Sequence, residues 1–455
     1  MKKILLFAAT AALFAACTSD EATVPEVAQE APQAVAFDTY TATASRAGKE
    51  RVMTTTELMK ASGEGGGFGV FAQYSDNTTY APATGSNFMW NQGVFYNNTA
   101  MGWEYAPLKY WPNETVYDSQ TVDGGHAEST DFDRLSFFAY APYVANVAGT
   151  YDGTLEDVEY TGTDPNAPKA NQTGIVMVTA NDATSDPKVM YKVTTDPSKT
   201  VDLLWGVAPA GGLSYETVKN KENWVVNEGM PLLNLIKPNK DQKMKFLFQH
   251  ALSRIGITVV GAFDQIAAGG KKDSETKVLV EEVNIYEAVA NSIKTQGWLN
   301  LNNGTANVAN WETFGSTDYT NSPIFTISGT QIHPDLLDKG DEAFATQPVG
   351  VTAAPHNIFA DANDFFAVIP SGNTKLNVKI TYYVQTKDAS LNKVGSVDGS
   401  RVKNVIKKSV TVDFQNGKSY NLKLILGLTS VKLDAEVADW QLAGDSEVNL
   451  PRNNE

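Results

Sequence analysis

The chain has 455 residues, of which 42% are hydrophobic and 19% charged, with 35 glycines and 19 prolines. This length is enough for two or three domains, and the composition is typical of a folded protein rich in strands and turns and excludes a disordered one. The formal net charge of −16 at pH 7 argues against binding to nucleic acid or to an anionic lipid surface.

Residues 1–16 have the organisation of a signal peptide. Two lysines at positions 2 and 3 are followed by an apolar run from 4 to 14 and by the small residues Ala15 and Ala16. An apolar helix of this length spans roughly 16 Å, about half of a bilayer core, so the run predicts export and does not predict a membrane anchor.

Cys17 follows the apolar run directly and is the only cysteine in the sequence. A single cysteine makes no disulfide within its chain, and this position resembles the lipobox of bacterial lipoproteins, although Phe14 stands where leucine is usual. The next four residues, TSDE at 18–21, resemble the short acidic signal that sends lipoproteins of the Bacteroidales to the cell surface. We therefore predict lipidation at Cys17, and three acyl chains would hold the protein almost permanently on the membrane.

The segment after the cysteine divides into a tether and a first strand. Residues 18–34 are small, acidic and proline-containing, which is typical of a flexible linker. The next ten residues alternate as a strand does, and Arg46 follows closely. The residues on one side of this predicted strand are Val35, Phe37, Thr39 and Thr41.

Beyond Arg46 the sequence reads as two sets of strands separated by polar loops rich in glycine and asparagine. The first set is GFGVFAQY at 67, GWEYAPLKYWP at 102, LSFFAYAP at 135, VDLLWGVAPA at 201, MKFLFQHALSRIGITVVGAF at 244 and TKVLVEEVNIYEA at 276. The second set is KTQGWLNLNNG at 294, PIFTISGTQI at 323, DFFAVIP at 364, TKLNVKITYYVQT at 374, VIKKSVTVDF at 405 and SYNLKLILGL at 419. Few stretches have the period of a helix, so we predict an all-β protein with two antiparallel β-sandwiches in tandem, divided around residue 290.

The C-terminal segment 431–455 begins with a further alternating stretch. TSVKLDAEVADW at 429–440 places its apolar residues on one face and its charged residues on the other, and EVNLP at 447–451 repeats the pattern. The apolar face consists of Val431, Leu433, Ala435 and Val437, continued by Val448 and Leu450.

The residue types that carry catalysis or bind metals form no recognisable pattern. No histidine or cysteine stands at ligand spacing from the four histidines, and the sequence has no nucleophile elbow, zinc-protease motif or calcium loop. The histidines are His126, His250, His333 and His356. His250 lies inside an apolar strand, which favours a hydrogen-bonded core residue. The sequence predicts neither an enzyme, nor a metal site, nor a cofactor.

Several aromatic residues allow a second interpretation, a stacking platform for sugars. They are Trp90, Trp103, Tyr105, Tyr110, Trp111 and Trp205. Because alternation on strands buries every second side chain, the pattern favours packing inside the protein over a sugar platform.

A series of strings, in order along the chain, resembles the fimbrillin family of pilus subunits of the Bacteroidales. They are the lipobox at Cys17, the strand ending at Arg46 and Ala47, WEYAPLKYWP, LSFFAYAP, DLLWG, FQHALSRIGITV, FFAVIP, ITYYV and the terminal VADW. The resemblance implies transthyretin-like sandwiches and a surface lipoprotein of the outer membrane. It also implies a cut between Arg46 and Ala47 by an Arg-specific protease, which removes the first strand and leaves a groove.

The resemblance further implies that the groove is filled by the C-terminal strand of another subunit, identical or different. The domain organisation is then a signal peptide (1–16), a tether and propeptide (17–46), an N-terminal sandwich (47–290), a C-terminal sandwich (291–430) and a donor segment (431–455). Stalk, tip and anchor subunits stay open as roles, as does a surface glycan-binding lipoprotein that keeps its tether.

Overall fold

The computed structural model describes fourteen ranges of the chain. They are 33–41, 53–61, 65–76, 79–83, 85–112, 133–144, 173–179, 184–216, 223–238, 242–262, 276–315, 317–387, 399–427 and 431–440. Strands dominate these ranges, which confirms the predicted all-β class. Within them, no helix has the length and apolar character that crossing a bilayer requires.

The described ranges contain 23 strands, one short α-helix and two 3-10 turns. The strands of the first half are β1 (Phe37–Thr41), β2 (Phe68–Asp76), β3 (Ser86–Asn97), β4 (Gly102–Glu104), β5 (Asp133–Ala141), β6 (Gly174–Val178), β7 (Lys188–Lys192), β8 (Leu204–Val207), β9 (Leu213–Glu216), β10 (Asn223–Val226) and β11 (Leu232–Leu235). Those of the second half are β12 (Met244–His250), β13 (Ser253–Gly261), β14 (Thr276–Glu287), β15 (Gln296–Asn300), β16 (Asn310–Gly315), β17 (Phe325–Ser328), β18 (His356–Asn357), β19 (Phe366–Val368), β20 (Gly372–Lys387), β21 (Gly399–Phe414), β22 (Lys418–Leu426) and β23 (Val431–Asp439). The helix α1 is Thr55–Leu58, and the 3-10 turns are Pro197–Lys199 and Gly329–Gln331.

An eight-stranded sheet forms the N-terminal part, in the order β1-β12-β8-β5-β2-β3-β4 with β11 paired to β5. Its central strand β5 is buried on both faces, and its alternate side chains enter two different cores. Leu135 and Phe137 pack in an N-terminal aromatic cluster, whereas Phe138 and Tyr140 pack in a second, larger cluster. A strand covered on both faces is apolar throughout, which explains the unbroken LSFFAYA sequence.

The larger core lies between two further sheets, ordered β18-β13-β22-β23 and β17-β14-β20-β21, with β19 paired to β13. Neighbouring strands are mostly antiparallel, but β13 runs parallel to β22 over eight residue pairs. The strand β23 lies at one edge of the first of these sheets, and the long strand β21 lies at one edge of the second.

Several strand pairs cross residue 290. β15 after this position pairs with β7 before it, and β13 and β14 before it pair with β22 and β20 after it. These pairs join segments that lie on either side of the predicted division, and the domain boundaries themselves stay a prediction.

A buried polar cluster lies where the two cores meet. His250 is the last residue of β12, and its Nδ1 lies 2.8 Å from Oδ2 of Asp202. The same oxygen accepts a hydrogen bond from the Met53 N–H at 3.1 Å. Both side chains are buried, so the prediction that His250 is a hydrogen-bonded core residue is confirmed.

Candidate functional site

The first strand is built into the N-terminal core by alternate side chains. Val35, Phe37, Thr39 and Thr41 are all buried, while the residues between them are partly or fully exposed. The alternation predicted from the sequence is therefore confirmed, and this strand fills a groove in the rest of the domain.

Phe37 occupies the deepest part of this groove and is only 1% exposed. Its ring lies 5.6 Å from the ring centre of Tyr105 and between 6.0 and 6.2 Å from those of Phe68, Phe137 and Phe246. Phe68 meets it edge-on and Phe246 nearly parallel, both favourable aromatic arrangements. We call these four rings the Phe37 pocket, and they surround the largest side chain on the inward face of the strand.

The backbone of the same region is paired on two sides. β1 runs parallel to β12, with Phe37 opposite Met244 and Thr41 opposite Phe248, and the Thr39 hydroxyl donates to the Phe246 carbonyl at 2.9 Å. On the other side the Val35 N–H donates to the Lys109 carbonyl at 2.9 Å. Strand addition at such an edge gains hydrogen bonds from the backbone and register from the side chains.

Tyr105 ties the start of this strand to the segment after β4. Its hydroxyl donates to the Val35 carbonyl at 2.8 Å and accepts from the Lys109 N–H at 3.2 Å. Burial raises the pKa of the Tyr105 hydroxyl to about 12, against the opposing effect of the hydrogen bond from Lys109. The phenol is thus neutral in the folded protein at pH values where an exposed tyrosine ionises.

This pKa shift predicts a loss of stability at high pH. The stabilisation is complete below the ordinary tyrosine pKa of 10 and is lost as the pH rises towards 12. Tyr105→Phe should therefore make the midpoint of urea unfolding fall less steeply with pH than in the wild type across this range. An unchanged slope in Tyr105→Phe would contradict the assignment.

The chain leaves the first strand at Thr41 and returns to it at Thr55. The Thr41 N–H donates to the Thr55 hydroxyl at 3.2 Å, and the two hydroxyl groups are 3.1 Å apart. From Met53 onward the chain is held separately, because Met53 binds Asp202 through its N–H and Leu58 is fully buried. The predicted cut between Arg46 and Ala47 lies outside the described residues, within 42–52.

Apart from the hydrogen bonds between Thr41 and Thr55, β1 and the residues from Met53 onward have separate attachments to the domain. If the chain were cut between them, β1 would be held only by its noncovalent contacts. Its loss would expose the Phe37 pocket and one hydrogen-bonding edge of β12. An unpaired edge next to an apolar groove is a template for another strand.

The C-terminal candidate strand also has a place in the structure. β23 pairs antiparallel with β22, with Val431 opposite Leu426 and Val437 opposite Tyr420. Val431 is buried and Leu433 and Ala435 are partly buried against the larger core, whereas Val437 is 51% exposed. Two ion pairs near the surface, Lys418 with Asp439 and Lys423 with Glu436, also join the strands. Solvent-accessible pairs of this kind contribute little to stability.

Trp440 directly follows this strand and is buried. Its ring stacks on His250 with 4.7 Å between ring centres and meets Phe365 edge-on at 5.6 Å. The backbone N–H of Trp440 donates to the Gly417 carbonyl at 2.9 Å. The last strand is thus fixed to the same buried cluster that holds Met53.

The other predicted positions fall elsewhere. Cys17, Val448 and Leu450 lie outside the described residues. In the part of the chain that the structure describes, no three side chains of His, Cys, Asp or Glu come together as metal ligands would.

The six aromatic residues considered as a sugar platform are mostly inside the protein. Tyr105, Trp111 and Trp205 are buried, Trp90 and Trp103 are partly buried, and Tyr110 is 47% exposed. A single exposed ring does not make a stacking surface, and these six residues do not form one.

The sequence predicts the first strand but not the groove that receives it. Phe246 and Tyr105 line the pocket, and Asp202 holds Met53, but their places along the sequence give no sign of this. Only the apolar character of their segments could have suggested that they are buried.

One solved structure shares this fold. A crystal structure of a fimbrial protein from Bacteroides vulgatus superposes with a TM-score of 0.53 at 17% identity, covering 90% of this chain and 100% of that one. Two proteins assigned to cell adhesion match at TM-scores of 0.38 (Bacteroides uniformis, 13% identity) and 0.37 (Bacteroides ovatus, 12% identity). Each match covers 90% of this chain and 98% of the other.

No family model matches the chain, and no curated protein matches it. At 17% identity the Bacteroides vulgatus structure establishes the fold. The resemblance to fimbrillins predicted from the sequence is confirmed at that level.

Proposed function

We propose that this protein is a structural subunit of a cell-surface fimbria that polymerises by exchange of β-strands. The observation that carries the proposal is the first strand, which fills the Phe37 pocket and reaches Met53 only through the segment 42–52 that contains Arg46. A strand so placed can be removed by one cut without breaking any other strand of the domain.

The proposed sequence of events begins with export and lipidation at Cys17, which delivers the protein to the outer membrane. An Arg-specific protease then cuts between Arg46 and Ala47. Because Cys17 and β1 both lie before the cut, one event separates the subunit from its lipid and allows β1 to leave.

The energetics favour a replacement strand over an empty groove. Each buried side chain contributes about 1.5 to 3 kcal/mol, so four or five of them contribute on the order of 10 kcal/mol before the cost of ordering. The backbone hydrogen bonds that β12 loses with β1 are restored by any strand added in the same place.

The proposed donor is the C-terminal segment with Val431, Leu433, Ala435, Val437, Val448 and Leu450 as its inward residues. In the described state the first four belong to β23 and pair with β22 of their own chain. Donation therefore requires β23 to leave β22, and the half-exposed Val437 shows that this pairing buries the four side chains incompletely.

A tip or anchor subunit is the alternative within the same class. Such a subunit would share the cut and the groove but would not donate its last strand. A surface glycan-binding lipoprotein, the other alternative, would keep its lipid and would need no cut.

The direct test is Arg46→Ala expressed in the native host. We expect wild-type protein from the cell surface to begin at Ala47 and to form polymers, and the variant to stay uncut, lipid-bound and unpolymerised. N-terminal sequencing and electrophoresis without heating measure the two properties.

Two controls sharpen this experiment. Arg51→Ala removes the next arginine and should leave cutting unchanged, whereas Cys17→Ser should abolish labelling with a fatty-acid analogue. Normal polymers from Arg46→Ala would refute the processing step, and unchanged labelling of Cys17→Ser would refute the lipid.

A further inference from the structure

The first and last strands that the structure describes have matching residue patterns. Residues 35–41 read VAFDTYT and residues 431–437 read VKLDAEV, so the valine at the first position and the aspartate at the fourth are identical. In this alignment Leu433 takes the position of Phe37. The two segments lie in different sheets, each paired with a different neighbour.

We propose, on the basis of the proposed function, that the donated strand replaces β1 in the same direction and register, with Leu433 of one subunit in the Phe37 pocket of the next. The strand then runs parallel to β12, and Val431, Ala435 and Val437 take the places of Val35, Thr39 and Thr41. The partner recognised by this groove is thus a second copy of the chain, or a chain with the same residue pattern.

Side-chain size determines the direction. In the parallel arrangement the largest inward residue of β23, Leu433, enters the pocket formed by four aromatic rings. In the reversed arrangement with the same four sites, Ala435 enters that pocket and leaves a cavity. Leu433 would then take the place of Thr39, whose hydroxyl binds the Phe246 carbonyl.

Charge on the outward face supports placing Asp434 opposite Lys245, which holds for either direction of the strand. Asp38 of β1 lies opposite Lys245 of β12. In the proposed arrangement Asp434 takes the position of Asp38 and meets the same lysine, and opposite charges on facing strands are favourable.

Burial gives the exchange a driving force. On β22, Val437 is half exposed and Leu433 and Ala435 are partly buried. The corresponding β1 positions are all buried, with Thr41 only 3% exposed. The same side chains therefore lose more contact with water in the groove than on their own sheet edge.

The register is tested first in the uncut full-length chain, where no assembly is needed. A forward chimera gives residues 35–41 the sequence of residues 431–437 through Ala36→Lys, Phe37→Leu, Thr39→Ala, Tyr40→Glu and Thr41→Val. A reversed chimera has the same composition in the opposite order, through Ala36→Glu, Phe37→Ala, Thr39→Leu, Tyr40→Lys and Thr41→Val.

We expect the forward chimera to have the smaller unfolding equilibrium constant, by a factor of roughly 30 or more, because it places leucine and not alanine in the Phe37 pocket. Urea unfolding measures the difference. Equal stability of the two chimeras, or a more stable reversed chimera, would overturn the proposed register.

The second arm measures direction in assembled protein. Cut subunits contain no cysteine of their own, since Cys17 precedes the cut. Met244 lies opposite Phe37, so the residue before it, Lys243, lies beside position 36. The parallel arrangement places Lys432 at that position, and the reversed arrangement places Glu436 there. A short bifunctional thiol reagent should therefore crosslink neighbouring subunits when Lys243→Cys is combined with Lys432→Cys. It should not crosslink them when Lys243→Cys is combined with Glu436→Cys.

The two arms separate the two proposals. Crosslinking of only the Glu436→Cys pair would overturn the direction while supporting strand exchange. Failure of the wild type to assemble would count against the proposed function, and the chimeras would still decide whether the last strand can replace β1.

Discussion

Phe37→Ala should lower the free energy of unfolding of the uncut protein by about 3 to 5 kcal/mol, the range for removing a buried aromatic side chain. The ring is almost completely buried among four other rings, so its loss leaves a cavity that these neighbours cannot easily fill. Urea unfolding of the Arg46→Ala form, which we expect to stay uncut, is the appropriate measurement.

Tyr40→Ala is the matched control, because Tyr40 belongs to the same strand but is 42% exposed. Its substitution should change the free energy of unfolding by no more than about 0.5 kcal/mol. Equal effects of the two substitutions would show that β1 is not packed as described.

Made in protein that retains Arg46, the same two substitutions have a second use after cutting. If β1 is lost on processing, polymers grown from Phe37→Ala protein should dissociate in denaturant at the same concentration as wild-type polymers. A weaker polymer would mean that β1 stays in its groove and that another surface joins the subunits.

Val437→Asp should abolish assembly while leaving the uncut protein folded. Val437 is 51% exposed on β23, so a carboxylate there stays in water in the monomer. In a neighbour's groove the same carboxylate would take the buried place of Thr41, where the Thr55 hydroxyl is its polar neighbour. Burying a charge beside a single hydroxyl costs several kcal/mol and reduces the assembly constant more than a hundredfold. Electrophoresis without heating and urea unfolding measure the two properties separately.

Leu433→Asp tests the same strand at a more buried position. Because Leu433 already contacts the larger core, we expect a modest loss of monomer stability together with the loss of assembly. Lys432→Asp is the control, because its side chain is exposed and lies on the outward face of the strand. It should assemble like the wild type.

Two outcomes would contradict this role of the C-terminal strand. Normal assembly of Val437→Asp would show that residues 431–437 do not enter a neighbour. Outright unfolding would place them in the subunit's own core and favour a tip subunit, an anchor or a protein that forms no pilus.

Much of the candidate site is present in local patterns of the sequence. The alternation at 35–41 fixes which side chains of β1 face inward, because successive residues of a strand point to opposite sides. The same rule identified the face of β23 that carries Val431 and Leu433. His250, enclosed by apolar residues, was predicted as a core residue for the same reason.

What the alternation does not contain is the identity of the neighbour. β1 pairs with β12, 207 residues away between Thr39 and Phe246, and it does so in parallel within a mostly antiparallel sheet. The division predicted near residue 290 likewise rests on the order of the segments along the chain. In the structure β7, before this position, pairs with β15, after it. Pairing depends on which faces fit together when the whole chain collapses.

The sequence by itself determined the all-β class, the inward face of the first and last strands and the core position of His250, since each follows from the period and polarity of a short segment. Only the tertiary structure decided that Phe37 meets four aromatic rings, that Met53, Asp202, His250 and Trp440 form one buried cluster, and that β23 rests on β22. These contacts join residues far apart along the chain, and their choice depends on long-range packing that no local pattern encodes.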